Sequence, residues 1–286
     1  MLLHCATLLS RLPLKVHYGL ADCLLFPLMY HVVRYRRKTV DKNLRLAFPD
    51  KTDKERASIA RGFYHQFCDI LVETIYSFGC ADEELRQRVV FEGLEEADRL
   101  MQQAGGGVFL LGHTGNWEWL VNLPMWLSPE MKHLIVYKRL RNKAADRLML
   151  AVRSKRGGVC VDKKQIFRET ERYHAAQTPF TVFLVGDQKP RPDARQQWLS
   201  FLHQETGFFT GAEALSRKYG LPVAYLHINR PQRGCYKVQV HMLTVTPESS
   251  AEGEITRAYA QALEQNILEQ PELWLWSHNR FKWKRP

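Results

Sequence analysis

A histidine and a glutamate follow one short apolar segment of the chain at a spacing that suits acid–base chemistry. The run 105–118 begins with three glycines, continues as an apolar strand, and ends in a polar turn with His113, with Glu118 five positions later. A neutral imidazole that is oriented by a carboxylate is a general base suited to chemistry near neutral pH. The pattern predicts an enzyme with His113 and Glu118 as its catalytic residues.

The spacing of this pair constrains the local structure. Five residues of a regular helix correspond to about 140° of rotation, so His113 must lie before a helix and Glu118 in its first turn. Gly112 and Gly115 supply the backbone freedom for such a turn. Asn116 lies where it can orient a side chain or offer its backbone N–H to an oxyanion near the helix start. A locally bonded histidine and a surface glutamate fit the spacing too, but a strand-to-helix turn favours a site.

Strands alternate with helices from this run to the end of the chain. The predicted strands are 108–111, 133–137, 159–161, 180–185, 223–228 and 236–243. The predicted helices are 92–104, 117–126, 143–156, 166–176, 212–219 and 252–269. This alternation predicts an α/β fold with a mixed, largely parallel central sheet flanked by helices.

The first hundred residues carry helical patterns only. Residues 1–33 are apolar, 34–48 form a basic helix that Pro49 ends, and 52–78 follow a capping box of Thr52 and Glu55. We therefore expect an all-helical N-terminal extension. Because no Pro, Gly or Ser-rich linker interrupts the chain, a single domain over 1–286 is predicted. Within it, 1–48 is a membrane-proximal helical segment and 105–286 the α/β catalytic core.

The chain is basic, with a formal charge of +11 and a pI near 9.4. Such a field attracts nucleic acid, anionic membranes, phosphorylated lipids or an acidic carrier protein. No apolar run reaches the roughly 20 residues of a transmembrane helix. The apolar run 23–30 is followed by the cluster Arg34, Arg36, Arg37 and Lys38. This order favours an interfacial segment with a cytoplasmic basic end, although a packed helix with a basic cap has the same pattern.

Several other site classes have little support in the sequence. The six cysteines are scattered without C-x-x-C spacing, which disfavours zinc-ribbon and redox sites. A metal-dependent hydrolase built on His113 lacks a second and third ligand, so no metal is expected. The tail 274–285 interleaves tryptophans with lysines and arginines, which is typical of an interfacial anchor and also of a nucleic-acid-binding tail. No nucleic-acid-binding motif accompanies it.

The run 112–118, Gly-His-Thr-Gly-Asn-Trp-Glu, resembles the His-x4-Asp/Glu motif of the lysophospholipid acyltransferase superfamily. It is most similar to the bacterial late (lauroyl/myristoyl) acyltransferases of lipid A biosynthesis. Other blocks are similar to this family in the same order. They are 34–38 with 43–44 and 48–49, then 137–138 with Asn142, Arg153 and Gly157, then 187–188 with 208–211, and finally 274–282. The resemblance covers nearly the whole chain.

The resemblance implies transfer of a fatty acyl chain from an acyl-carrier protein thioester, or acyl-CoA, to a hydroxyl of a membrane lipid. A lipid A precursor is the first expectation for the acceptor, and a lysophospholipid or amino-acid lipid is the alternative. His113 would deprotonate the hydroxyl and Glu118 would orient the imidazole, with no cofactor. The expected location is the cytoplasmic face of the bacterial inner membrane, peripheral or monotopic. A basic membrane- or nucleic-acid-binding protein without catalysis is the alternative from another class.

Substrate contacts are expected from six polar residues. Motif similarity indicates Lys138, Asn142 and Arg153, and the turn after the first strand indicates Asn116. Asp187 and Gln188 end a predicted parallel strand, at the edge where α/β sheets bind ligands, although Asp187 also suits a helix cap or turn. Basic residues crowd the segment around the second block, which suits lipid phosphates or an acidic carrier. They are Lys138, Arg139, Arg141, Lys143, Arg147, Arg153, Lys155 and Arg156.

Overall fold

A computed structural model describes residues 2–283 and 285, with the backbone alone for residues 2–5. Met1, Pro286 and Lys284 of the basic tail lie outside the described residues. The described chain forms a seven-stranded sheet flanked by helices and a separate two-stranded sheet. The α/β fold with helices at its N-terminus is therefore confirmed.

The large sheet is mixed and mostly parallel. Its strands are β1 (Val89–Glu92), β2 (Gly106–Leu111), β3 (Lys132–Tyr137), β4 (Gly158–Asp162), β5 (Phe180–Val185), β8 (Val223–Gln232) and β9 (Cys235–Thr244), in the order β1-β9-β8-β2-β5-β3-β4. All neighbours are parallel except β8 and β9, which form an antiparallel pair. Every residue of the central strand β2 is buried, because both faces of the sheet are covered.

Helices pack on both faces of this sheet. They are α1 (Leu2–Leu9), α2 (Leu14–Leu20), α3 (Arg37–Ala47), α4 (Asp53–Gly79), α5 (Asp82–Arg88), α6 (Leu94–Gln103), α7 (Trp117–Leu120), α8 (Lys143–Ser154), α9 (Ile166–Ala175), α10 (Gly211–Tyr219) and α11 (Glu254–Glu269). The predicted capping box is present at the start of α4, where the Thr52 side chain accepts from the Glu55 backbone N–H and the Glu55 side chain accepts from the Thr52 backbone N–H. Most predicted boundaries agree with the structure to within a few residues.

Three strands and one helix end differ from the sequence predictions. The small sheet is a hairpin of β6 (Gln196–Phe201) and β7 (Gln204–Phe209), which was not predicted. Its turn residues Leu202 and His203 have φ values of +49° and +60°, a conformation for which glycine or asparagine is the usual signal. The four-residue β1 was also missed. The predicted helix 117–126 ends at Leu120, because Asn122 and Pro124 lead into a short 3-10 turn.

The N-terminal segment lies against α4 and leaves many apolar side chains exposed. After α2 it continues as two π-helical turns, Ala21–Leu25 and Leu28–Val32. Exposed apolar side chains recur along it; they are Leu8, Leu9, Leu12, Val16, Leu20, Leu24, Leu28, Val32 and Val33. Within the described chain no single helix is long and apolar enough to span a membrane. Leu14–Val32 and Arg37–Ala47 together meet that test as a pair bent by 81°.

Two apolar clusters form the core, one on each face of the sheet. Side chains of β2 alternate between them, so that Val108 and Leu110 belong to one cluster and Phe109 and Leu111 to the other. The first cluster includes residues of α3, α4 and α11, and the second includes residues of α6 and α7. The carboxyl ends of β2, β5 and β3 project from between these layers.

Candidate active site

The polar turn after β2 meets the end of β5 at the carboxyl edge of the sheet. Leu111 of β2 is paired in parallel with Val185 of β5, so the residues that follow these strands emerge side by side. His113 lies in the turn ahead of α7, as predicted. Gly112 permits this close packing, because a Cβ at that position would lie 2.4 Å from Leu263 Cδ1.

A carboxylate from the end of β5 holds the histidine. Nδ1 of His113 lies 2.5 Å from Asp187 Oδ1, and the His113 backbone N–H donates to Asp187 Oδ2 at 2.8 Å. The indole N–H of Trp274 donates to the same Oδ2 at 2.7 Å. Burial alone would raise the pKa of Asp187, but electrostatic attraction to His113 and these hydrogen bonds outweigh burial and hold that pKa below its usual value.

The ionised Asp187 also fixes the tautomer of His113. A carboxylate accepts hydrogen bonds only, so Nδ1 carries a proton, and in the neutral ring the lone pair is then at Nε2. His113 Nε2 lies 3.3 Å from the amide nitrogen of Gln188, and both side chains line the same cavity. The pair therefore provides a base at Nε2 with a carboxylate behind it.

Glu118 occupies the first turn of α7, as predicted, but it is bonded to Arg153. The Arg153 guanidinium donates from Nε to Oε2 at 3.0 Å and from Nη2 to Oε1 at 2.6 Å. Burial lowers the pKa of Arg153, but the charge of Glu118 outweighs it, so the net shift is upward. The expectation that Glu118 orients the imidazole is corrected: Asp187 makes that hydrogen bond, because sheet register rather than sequence spacing places it there.

Asn116 and Asn142, both expected to contact substrate, are helix caps. Asn116 Oδ1 accepts from the backbone N–H of Trp119 at 2.9 Å at the start of α7, and the residue is only 1% exposed. Asn142 Oδ1 accepts from the backbone N–H groups of Ala144 and Ala145 at the start of α8. Asparagine is a preferred residue at this position. Neither side chain lines the cavity described below, so the structure gives them a capping role instead.

A cavity of about 900 Å³ opens beside His113. Its wall includes three residues predicted from the sequence to bind substrate, namely Lys138, Arg153 and Gln188, together with Glu118. Asp187 lies behind His113 and is not part of the wall. Most of the remaining wall is apolar and comes from the central strands, α9, β7, α10 and α11. It includes Leu110, Trp117, Val121, Ile135, Ile166, Phe167, Phe183, Phe209, Leu215, Ile255 and Tyr259.

Exposed cations flank this apolar wall. They are Lys138, Lys163, Lys164 and Arg195. Sequence reasoning found Lys138 by motif but missed the other three. The position of Lys163 and Lys164 directly after β4 was an available signal, because it places them at the same carboxyl edge as His113.

The predicted basic cluster on α8 is divided between the surface and the interior. Arg153 is bonded to Glu118, and Arg156 is 7% exposed and donates to Asp82 and to the Ser77 carbonyl at 2.8 Å each. Two of the eight cations are therefore committed to internal partners, and a third, the exposed Lys155, donates to the Phe78 carbonyl at 2.5 Å. The described structure leaves Lys138, Arg139, Arg141, Lys143 and Arg147 exposed.

The first part of the tryptophan-rich C-terminal segment, residues 274–281, packs into the core, which corrects the expectation of an interfacial anchor for that part. Trp274 and Trp276 are 2% and 0% exposed, whereas Trp283 is 37% exposed. Thr114 forms a β-bridge with Trp274, and the backbone N–H of Leu275 donates to the His113 carbonyl at 3.0 Å. These backbone bonds hold the His113 turn in place, a role that composition alone could not reveal.

Comparison with known proteins identifies the family of this chain. The family model described as bacterial lipid A biosynthesis acyltransferase matches residues 4–283. The chain is 26% identical over 256 residues to a lipid A biosynthesis palmitoleoyltransferase of Escherichia coli (strain K12), covering 87% of this chain and 80% of the relative. A lipid A biosynthesis acyltransferase of Shigella flexneri shows the same identity and coverage. The chain therefore belongs to the bacterial lipid A biosynthesis acyltransferase family and is an acyltransferase.

Proposed function

We propose that this protein transfers a fatty acyl chain from an acyl-carrier protein thioester to a hydroxyl of a lipid A precursor. The observation that carries the proposal is the His113–Asp187 pair, with its bonds of 2.5 and 2.8 Å, at the wall of a largely apolar cavity of about 900 Å³. A base with an adjoining apolar space suits a reaction between an alcohol and an acyl chain.

The proposed reaction is a direct transfer without an acyl-enzyme. Nε2 of His113 accepts the proton of the acceptor hydroxyl while its oxygen attacks the thioester carbonyl. The tetrahedral intermediate then collapses, the carbon–sulfur bond breaks, and the imidazolium returns the proton to the departing sulfur. Asp187 stabilises the imidazolium and keeps the ring in position, the function that the acid has in hydrolase triads. The scheme uses no metal and no cofactor.

Arg153 is the proposed stabiliser of the oxyanion or of a substrate phosphate. A guanidinium has five N–H donors, and Glu118 occupies two of them, so three remain for the cavity. In this scheme Glu118 acts by holding Arg153 in the cavity wall. Positive charge in a partly buried wall stabilises developing negative charge strongly.

The cationic residues beside the cavity support an acidic donor carrier or a phosphorylated acceptor. Lys138, Lys163, Lys164 and Arg195 lie together at an apolar wall, where they could contact phosphates while the acyl chain lies against the wall. Acyl-CoA, which also carries phosphates, is the alternative donor. A lysophospholipid or amino-acid lipid is the alternative acceptor.

The exposed apolar side chains of the N-terminal segment support attachment to a membrane surface. Leu24 and Val32 are 57% and 73% exposed, and the basic residues Arg34 and Lys38 follow directly. An apolar surface next to basic residues is typical of interfacial binding to anionic lipid. We therefore propose that the protein acts at the cytoplasmic face of the bacterial inner membrane, as a peripheral or monotopic protein.

A transfer assay with purified protein tests this function. The assay contains detergent-dispersed lipid A precursor and acyl-carrier protein that bears a radiolabelled acyl chain. The lipid product is identified by mass spectrometry. We expect acylated lipid with wild type and a loss of at least about 1000-fold in kcat for His113→Ala and Asp187→Asn. Parallel reactions with acyl-CoA and with a lysophospholipid identify the donor and acceptor. Unchanged turnover in both variants would exclude the proposed mechanism.

A further inference from the structure

Besides Asp187 and Glu118, a third buried carboxylate lies next to the turn that carries His113, which is called the catalytic turn below. Glu73, in the middle of α4, is fully buried. Its Oε1 accepts from the Tyr18 hydroxyl at 2.6 Å, and its Oε2 accepts from the Tyr236 hydroxyl at 2.8 Å and the Asn116 amide at 2.6 Å. All three donors are neutral groups. Burial raises the pKa of Glu73, so this carboxylate has a cost in stability that an apolar side chain would not have.

Glu73 determines which way the Asn116 amide points. Asn116 Oδ1 must accept from the Trp119 backbone N–H to cap α7, so its NH2 group must face the opposite side. That side holds Glu73, an acceptor for the NH2 group. The Glu73 backbone carbonyl also accepts from the Trp119 indole N–H at 2.8 Å. Both the cap and the first turn of α7 are therefore attached to one position of α4.

This attachment lies between the two functional side chains of the turn. His113 precedes Asn116 by three residues and Glu118 follows it by two. Neither of these side chains is among the groups that donate to Glu73. A displacement of Asn116 would move both His113 and the Glu118–Arg153 pair relative to the cavity, and displacements near 1 Å cost catalysis roughly 100-fold.

We propose that Glu73 is a positioning residue for acyl transfer that acts through the amide of Asn116. The inference rests on the proposed function. In this role the Glu73 carboxylate keeps the His113 turn in position, in addition to its part in packing α4 against the sheet.

The test exchanges the amide of Asn116 and the carboxylate of Glu73 between the two positions. Asn116→Asp keeps an oxygen for the Trp119 cap but places a second acid against Glu73, so in place of the amide bond of 2.6 Å the two acids repel each other or must take up a shared proton. We expect kcat to fall about 100-fold, with KM changed less than about threefold. Adding Glu73→Gln supplies an amide donor to the new Asp, and the Tyr236 hydroxyl can accept from the same amide. The double variant should recover kcat to within about tenfold of wild type.

Asp69→Asn is the matched control. Asp69 lies one turn before Glu73 on α4, is 2% exposed, and is bonded to Arg230 and Arg233 rather than to the catalytic turn. Its loss should reduce the free energy of unfolding and leave kcat within about twofold of wild type.

The outcomes separate this inference from the proposed function. Absence of transfer by the wild-type protein would refute the proposed function. With an active wild type, the inference is overturned if Asn116→Asp keeps its kcat or if the folded double variant shows no recovery. Should Asn116→Asp not fold, the double variant decides: near-wild-type kcat supports the inference, and a folded but inactive double variant contradicts it.

Discussion

The indole N–H of Trp274 donates a hydrogen bond of 2.7 Å to Asp187 Oδ2, the same oxygen that accepts from the backbone N–H of His113. The C-terminal segment thus contributes directly to the carboxylate that holds His113, the proposed catalytic base. A buried carboxylate with fewer donors is less stable in its charged form and less fixed in position.

Trp274→Phe should therefore slow acyl transfer. Loss of a hydrogen bond to a charged group costs roughly 2 kcal/mol, and we expect kcat to fall about 30-fold. Trp276→Phe is a matched control, since this neighbouring indole is equally buried but donates to the Pro271 carbonyl. Steady-state kinetics of both variants provide the measurement. Equal kcat losses would show that general packing, not the bond to Asp187, is responsible.

Glu118 and Arg153 should behave as one energetic unit. Their side chains are 11% and 19% exposed, so removal of either partner leaves a largely buried charge. Glu118→Gln or Arg153→Gln should each lower the free energy of unfolding by roughly 3 kcal/mol, and the double variant by clearly less than the sum. Urea unfolding completes this double-mutant cycle.

The more exposed pair of Glu84 and Arg88 provides the control for that cycle. Glu84→Gln should change the free energy of unfolding by less than about 1 kcal/mol. Strict additivity of the Glu118 and Arg153 variants would contradict a coupled pair.

His278 should make the protein less stable in mild acid. Burial lowers its pKa to about 4, with Asp187 opposing and nearby cations reinforcing that shift. Because the unfolded chain has a histidine pKa near 6.5, it binds more protons than the folded state between about pH 6.5 and 4. The contribution of neutral His278 is thus complete above about pH 6.5 and declines as the pH falls through this window.

The measurement is the pH dependence of unfolding for wild type and His278→Gln. Wild type should lose roughly 2 kcal/mol from this group across the window, with allowance for partial exposure, and the variant should show a flatter curve. Titration of the His278 ring by NMR should give a midpoint near pH 4. A midpoint near 6.5 would contradict the prediction.

Charges placed on the N-terminal segment should weaken membrane binding. Leu24 is 57% exposed, and burial of a leucine in lipid contributes about 2 kcal/mol. Leu24→Asp should therefore reduce binding to phosphatidylglycerol vesicles at least about tenfold, as measured by co-sedimentation. Leu268→Asp on α11, where the leucine is 48% exposed, should leave binding unchanged. A similar loss for both variants would argue against a specific membrane-facing segment.

The sequence predicted those parts of the site that depend on local patterns. The strand before His113, the turn, and the start of α7 follow from apolar runs, glycines and helix signals. The position of Asp187 at the end of a parallel strand was also predicted. The bond between Asp187 and His113 was not, since it depends on the register of β2 against β5, which no local pattern encodes.

Composition was a weaker guide than position. Trp274 and Trp276 lie in a basic, aromatic segment that suits a membrane anchor, yet both pack inside the protein. Asn116 and Asn142 have the residue type of a substrate contact and the positions of helix caps. In each case tertiary contacts decided between two uses of the same residue.

The β-bridge between Thr114 and Trp274 also has a consequence for the timing of assembly. A ribosome delivers the histidine turn well before the segment that clamps it, because the two are far apart in the chain. Contacts of such separation form late and slowly. The turn that holds His113 would therefore be fully constrained only after the segment around Trp274 has been synthesised and has folded against it.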